Sequence, residues 1–277
     1  MTAQLEPRPA LLRVEFLEEA LGSGLALGVL PGNTAKIRLI LDLARQVAAG
    51  KTTKVVDVGA GGRYVPFNLW EPFLPYVDAI SLSGVDVAHL DATAARAAEL
   101  GFPVDLRPGG VESLLQTFGE ESFDAVVSTQ VLEHLPDWRS GVETMALALR
   151  PGGTLYITCD SGDLLRPAGT RIRLAGKRAY ARVAATAPVV RQAAPSLSGD
   201  WERAPTLREL RTHAERVGLE VETVRQYGMQ PVKDAATQLD VRSRLLWLAL
   251  EEQLDLEGSR ACTLLYLRAR RPARTLY

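Results

Sequence analysis

Cysteine and histidine are scarce: the 277 residues include two of the first and three of the second. Cys159 and Cys262 cannot build a disulfide framework, and no CxxC pair or Cys/His cluster signals zinc, so metal-independent chemistry is expected. Neither sign of charge prevails, with 32 Lys+Arg against 33 Asp+Glu, and aromatic residues make up only 6%. That balance gives no basic, aromatic-laced surface for nucleic acid. Long hydrophobic runs are also missing. The charge-free stretch Ala20–Ala35 is interrupted by glycines and Pro31 and falls short of the roughly 20 apolar residues of a spanning helix. The opening MTAQLEPRPA carries an early acid and no basic region followed by an apolar core, which reads as no secretory signal. A soluble, cytoplasmic, reducing-compartment protein without stable membrane insertion is expected, long enough to bury about three quarters of its unfolded surface.

The charge balance hides an asymmetry. Between Leu164 and Arg191 lie seven basic residues (Arg166, Arg171, Arg173, Lys177, Arg178, Arg182, Arg191) and no acid, which leaves 25 basic against 33 acidic residues elsewhere. The molecule therefore reads as an acidic body with one basic segment.

Short apolar runs alternate with helical patterns. Leu11–Leu21 and a segment from Thr34, read as its cap, to about Ala49 predict helices. Strands are predicted at Lys54–Val58, Ala79–Asp86, Val104–Leu106, Phe123–Ser128, Thr154–Thr158, Glu220–Val224 and Cys262–Arg268. Helices are predicted near Asp91–Leu100, Val111–Phe118, Asp137–Leu149 and Thr206–Val217, with Asp137 as an N-cap. Such alternation implies right-handed βαβ crossovers, a parallel sheet and helices on both faces. Ligands bind such sheets at the carboxyl ends of the strands, where strand order reverses.

One such end is Asp57-Val58-Gly59-Ala60-Gly61-Gly62-Arg63. Glycines admit backbone close to a ligand and expose N–H groups to it. As a dinucleotide fingerprint the stretch fails at its last position, where Tyr64 stands. Asp57, ending a buried strand, needs a partner, and a ligand's amino group would supply one. Asp86 ends the second strand, where it reads either as an acceptor for a ribose diol or as a capping or surface residue.

Four ordered stretches resemble the class I S-adenosylmethionine-dependent methyltransferases, small-molecule branch. Asp57–Gly61 resembles the D/E-x-G-x-G motif, and Asp86 sits like the acidic residue after strand two. Ser122–Val127 through Val131-Leu132-Glu133-His134-Leu135 is similar to the strand-four segment, and Leu149-Arg150-Pro151-Gly152-Gly153-Thr154-Leu155 to the turn into strand five. The match covers about residues 50–160 and weakens beyond. The resemblance implies an α/β fold with a Rossmann-like seven-stranded, mostly parallel sheet, an antiparallel last strand, helices on both faces and helical lid elements. It divides the chain into an N-terminal helical cap (1–49) and a methyltransferase domain (50–277) with lid insertions at about 163–200 and 231–257.

For S-adenosylmethionine the resemblance implies that Asp57 holds the amino group, that Gly59, Ala60 and Gly61 line the methionyl backbone, and that Asp86 with Val87 meets the ribose. Val111 and Glu112 fall in the adenine-contacting loop, and Ser128 lies near the methionine end. The chain departs from the pattern at Arg63, where a third glycine is usual, and at Gly110, where many relatives carry aspartate. Pro66, Pro72 and Pro75 break the helix that would follow the glycine turn.

Methyl transfer from a sulfonium is an in-line displacement, so alignment and water exclusion dominate. A hydroxyl acceptor gains from a base. His134, of a residue type that titrates near 6.5, is the best candidate; it also reads as a packing or capping residue. Gln130 is a candidate to orient the acceptor. His89 and His213 read as surface residues, and Cys159 as a buried structural thiol. Asp160 and Asp163 follow strand five at the ligand edge.

The basic segment predicts a helix over Thr170–Ala185. It reads either as a solvated lid or, through Arg171 and Arg178, as a clamp for an anionic acceptor. Arginine outnumbers lysine 27 to 5, a bias of GC-rich genomes that admits secondary metabolism. The expected activity is transfer to oxygen of a small-molecule substrate. N- or C-methylation, or a non-catalytic cofactor-binding partner protein, are alternatives, and a homodimer is allowed.

Overall fold

The computed structural model describes residues 14–48, 52–61, 65–164, 204–229, 240–254, 256–257 and 259–273. Among these, seven strands form one sheet in the order β3-β2-β1-β4-β5-β7-β6. They are β1 (Thr53–Val58), β2 (Ile80–Asp86), β3 (Val104–Pro108), β4 (Phe123–Thr129), β5 (Leu149–Asp160), β6 (Glu220–Met229) and β7 (Cys262–Arg270). Neighbours are parallel from β3 through to β5, while β7 runs antiparallel to both β5 and β6. Six strands thus share a direction and the last is reversed, as the resemblance implied. Each predicted strand is present. β6 continues to Met229 rather than stopping at Val224, and β5 begins at Leu149, taking in the stretch expected as a turn.

The helices are α1 (Val14–Leu21), α2 (Thr34–Val47), α3 (Leu90–Glu99), α4 (Leu114–Phe118), α5 (Trp138–Ala148), α6 (Leu207–Arg216) and α7 (Val241–Gln253). The first residue of α2 is Thr34, but the cap is Asn33, whose side chain accepts from Lys36 N at 3.1 Å. Asp137 caps α5 as expected. Thr206 and Glu209 form a reciprocal capping box on α6, each satisfying an N–H that the helix leaves open.

Alternation along the strands splits the core in two. Val55, Leu82, Ala125, Val127, Tyr156 and Tyr266 face a layer built from α2, Phe67, Trp70 and Phe73. Val56, Val58, Val126, Leu155, Ile157 and Leu267 face Leu114, Val142, Met145 and Leu210 on the other side. At roughly 1.5–3 kcal/mol per buried large apolar side chain, these layers carry the fold. Helix α2 is enclosed almost all round, with Ile37, Leu39, Ile40 and Leu43 fully buried.

The same layer holds a buried acid, Asp42. It accepts from Arg38 Nε at 3.0 Å and Tyr266 Oη at 2.6 Å, with Arg45 and Arg268 also paired to it. A buried carboxylate persists only when so surrounded. His213 corrects an expectation: it is 4% exposed rather than a surface residue. Its Nε2 donates to Arg139 O at 3.0 Å and its ring meets Trp138 edge-on. The predicted helix over Thr170–Ala185 lies outside the described residues.

Candidate functional site

The strand order reverses between β1 and β4, and the candidate residues gather at the carboxyl ends of these strands and their neighbours. After β1 the chain turns back on β2: Gly59 N and Ala60 N both donate to Val85 O, at 2.8 and 3.2 Å. Gly59 has φ +90°, and a Cβ there would run into Val131. A Cβ at Gly61 would overlap Ala88 O and come within 2.8 Å of Asp86 Cγ. The glycines are thus required by the chain's own packing. Asp86 explains why the turn sits so close. Its Oδ2 accepts from Gly61 N at 2.9 Å and its Oδ1 from Ala88 N at 2.8 Å. Each oxygen keeps a second acceptor site, so the carboxylate both anchors the turn and remains able to receive hydroxyl donors. Arg63 and Tyr64 lie outside the described residues.

Asp57 is buried, 5% exposed. Its Oδ2 accepts from the indole Nε1 of Trp70 at 2.8 Å, while Oδ1 has no partner. Burial pushes its carboxyl up to about 6, against the lowering effects of the Trp70 hydrogen bond and the Lys36 charge and with a further upward push from Asp86. Lys36, from the first turn of α2, has its ammonium pushed down by burial and held up by the charges of Asp57 and Glu133. A partnerless oxygen on a buried acid near the carboxyl end of β1 is the arrangement a cationic amino group would satisfy.

At the end of β4, Ser128 Oγ is fully buried and partnerless. Gln130 holds a left-handed backbone, φ +59°. Its N–H donates to Thr158 O at 2.7 Å, and its Nε2 is buried without a partner. Such strain on a non-glycine residue clusters at functional sites. The following turn, Leu132–His134, buries Glu133 and exposes His134. Val87 is 79% exposed just past Asp86. Val111 is turned into the core, while Glu112 is exposed, its carboxylate lying over Gly110. Asp160 is half-buried at the end of β5. Asp163 is used structurally, accepting from Leu207 N at 2.8 Å at the start of α6. Arg171 and Arg178 lie outside the described residues.

The structure therefore groups Asp57, Gly59, Ala60, Gly61 and Asp86 at the carboxyl ends of β1 and β2, and Ser128 and Gln130 at that of β4. Lys36 and Trp70 escaped the sequence reading. Neither carries a signal in the sequence.

A family model described as methyltransferase domain matches residues 56–157. A ubiquinone biosynthesis O-methyltransferase of Methylobacterium sp. (strain 4-46) is 34% identical over 181 residues, 65% of this chain and 64% of that protein. Its counterpart from Methylobacterium nodulans is 31% identical over 60% of this chain and 59% of its own length. The chain thus spans less than two thirds of these relatives. Among solved structures, the Haemonchus contortus phosphoethanolamine N-methyltransferase 2 superposes with TM-score 0.56 at 17% identity, over 85% of this chain and 52% of that one. The [4+2]-cyclase SpnF superposes with TM-score 0.52 at 17% identity, over 95% and 93%. At such identities these structures establish the fold.

Proposed function

We propose that this chain, whose residues 56–157 match a family model described as methyltransferase domain, is a class I S-adenosylmethionine-dependent enzyme that methylates an oxygen of a small-molecule acceptor. Oxygen as the accepting atom is supported by relatives named O-methyltransferases. When bound, S-adenosylmethionine supplies an electrophilic methyl group on a sulfonium. The chain's part is to grip the donor, place the acceptor and exclude water.

Asp57 Oδ1 receives the cationic amino group, and the Lys36 ammonium beside it suits the neighbouring carboxylate. The turn Gly59–Gly61 carries the backbone past the donor, and Asp86 takes the ribose hydroxyls with its free lone pairs, Val87 beside it. Val111 and Glu112 border the adenine, and Ser128 the methionine end. Gln130, with an unspent amide donor, orients the acceptor. His134, exposed at the mouth, removes the acceptor's proton. Asp160, with Arg171 and Arg178 from the basic segment, meets the rest of the substrate, which for those arginines is an anion. Secondary metabolism belongs to the same reading through composition alone.

The carrying observation is the partnerless Oδ1 of buried Asp57 beside the glycine turn. The test is calorimetric titration with S-adenosylhomocysteine, followed by incubation with S-adenosylmethionine and a panel of phenolic, carboxylate and amine acceptors. The expected result is binding, with a one-methyl mass gain on a hydroxyl or carboxylate acceptor. Gain on amines alone moves the reaction to nitrogen; binding without turnover on any acceptor favours a cofactor-binding partner protein.

A further inference from the structure

Among the described residues between the glycine turn and β2, 65–79, there is no α-helix of the kind usual between the first two strands of such sheets. The segment bends through Phe67 and enters the 3-10 helix Glu71–Ala79, with Pro72 at its start and Pro75 inside. Phe67 is 3% exposed and sits at φ +64°, a costly backbone conformation for a bulky residue. It is held there by an edge-on contact with Phe102, ring centroids 5.2 Å apart, and by its carbonyl, which accepts from Trp70 N at 3.0 Å and Glu71 N at 3.2 Å. The product of that bend is the position of one side chain. Trp70 is 2% exposed, stacked at a tilt on Phe73, and aims its single donor at Asp57 Oδ2.

A carboxylate with two open oxygens could rotate or take a proton on either. With Oδ2 occupied by an indole N–H, only Oδ1 is presented. We propose that Trp70 is a positioning residue for the donor molecule, fixing the Asp57 carboxylate so that Oδ1 alone faces its amino group. This rests on the reading of Asp57 given above. The charges around Asp57 agree. Lys36 from α2, itself facing Glu133, and the Trp70 N–H favour the ionised form, while burial and Asp86 on β2 oppose it. Deleting the indole donor removes one of the two favourable influences, so the carboxyl moves further up.

The experiment compares S-adenosylhomocysteine with its desamino analogue, the same thioether bearing a plain carboxypropyl chain, by calorimetry from roughly pH 5 to 9, a range that brackets the Asp57 titration. Wild type is set against Trp70→Phe and against benzothienylalanine at position 70, which keeps the shape of the ring and deletes only the N–H. The expected loss is about tenfold for S-adenosylhomocysteine at pH 7, the scale of one hydrogen bond to a charged group. The analogue should change by less than about twofold on the same scale, and the pH below which S-adenosylhomocysteine binding weakens should rise. Equal losses for the two ligands would mean that Trp70 merely supports the fold, and no loss with the isostere would mean that its N–H is unimportant; either overturns the inference. Wild type binding S-adenosylhomocysteine no better than the analogue overturns it too, while leaving the methyltransferase reading intact. Wild type binding neither ligand overturns both.

Discussion

On the proposed reading Asp57 links donor binding to stability, and Asp57→Asn separates the two. A carboxyl raised from 3.8 to about 6 in the folded chain holds its proton more tightly there than in the unfolded chain. Its contribution to folding is therefore greatest below pH 3.8 and is lost as pH rises through about 6. At 1.36 kcal/mol per pH unit, the ionised side chain costs about 3 kcal/mol at pH 8 relative to a neutral one of the same shape. Asparagine is that neutral shape, and its carbonyl can still accept from the Trp70 indole. Urea unfolding without ligand should show Asp57→Asn more stable than wild type by about 1–3 kcal/mol at pH 8, with the gap closing toward pH 4. The same variant should bind S-adenosylhomocysteine at least about tenfold more weakly at pH 8, because the charge proposed to receive the amino group is gone. A variant less stable than wild type at pH 8, or a stability difference independent of pH, would refute the account of Asp57 as a strained, ligand-awaiting acid.

Gly59→Ala should weaken S-adenosylhomocysteine binding by about tenfold or more and lower the urea midpoint, since it combines φ +90° with a collision against Val131. Adding Val131→Ala should recover part of the stability but not the backbone strain. His134→Ala alters an exposed side chain, so stability should stay within about 0.5 kcal/mol. Its turnover should fall about tenfold or more with donor affinity kept, in a steady-state assay on whichever acceptor is methylated. Asp42→Asn removes the buried charge shared by Arg38, Arg45 and Arg268 while Arg38 keeps its pairing to Glu252 at 3.6 Å, and should cost about 3 kcal/mol by denaturation, the low end for breaking a buried pair.

The strands were legible because a buried parallel sheet writes itself as short apolar runs: Val55-Val56, Ala125–Val127 and Leu155–Ile157 are fully buried where the pattern placed them. The glycine turn and Asp86 were legible because their spacing from strand ends is local. Lys36 and Trp70 were not, because the charge of one and the indole of the other come near Asp57 only through the packing of different elements on the sheet, and nothing adjacent in sequence marks either. His213 was misread for a related reason. A mean-polar helix such as α6 hides a buried imidazole when its partner, Trp138, lies 75 residues earlier in the numbering. The partners of Asp42, Tyr266 and Arg268, come from the far end of the chain, so nothing local marked it as a buried acid.

The strand order carries a consequence for how the molecule comes into being. β7 is the last strand along the sequence, yet it lies inside the sheet between β5 and β6, and its Tyr266 closes onto Asp42 across 224 residues. A nascent chain that has made β1 to β6 therefore has a gap where β7 belongs, and β6 cannot join the sheet directly. Until residue 270 has left the ribosome, the edges of β5 and β6 stand open and the Asp42 carboxylate lacks its tyrosine. Contacts of such long sequence separation form slowly, and unpaired edges invite association with other chains in the interval. The final nine-residue strand is thus the keystone of assembly, so expression temperature and chaperone supply should govern the yield of folded protein more than the stability of the finished molecule does.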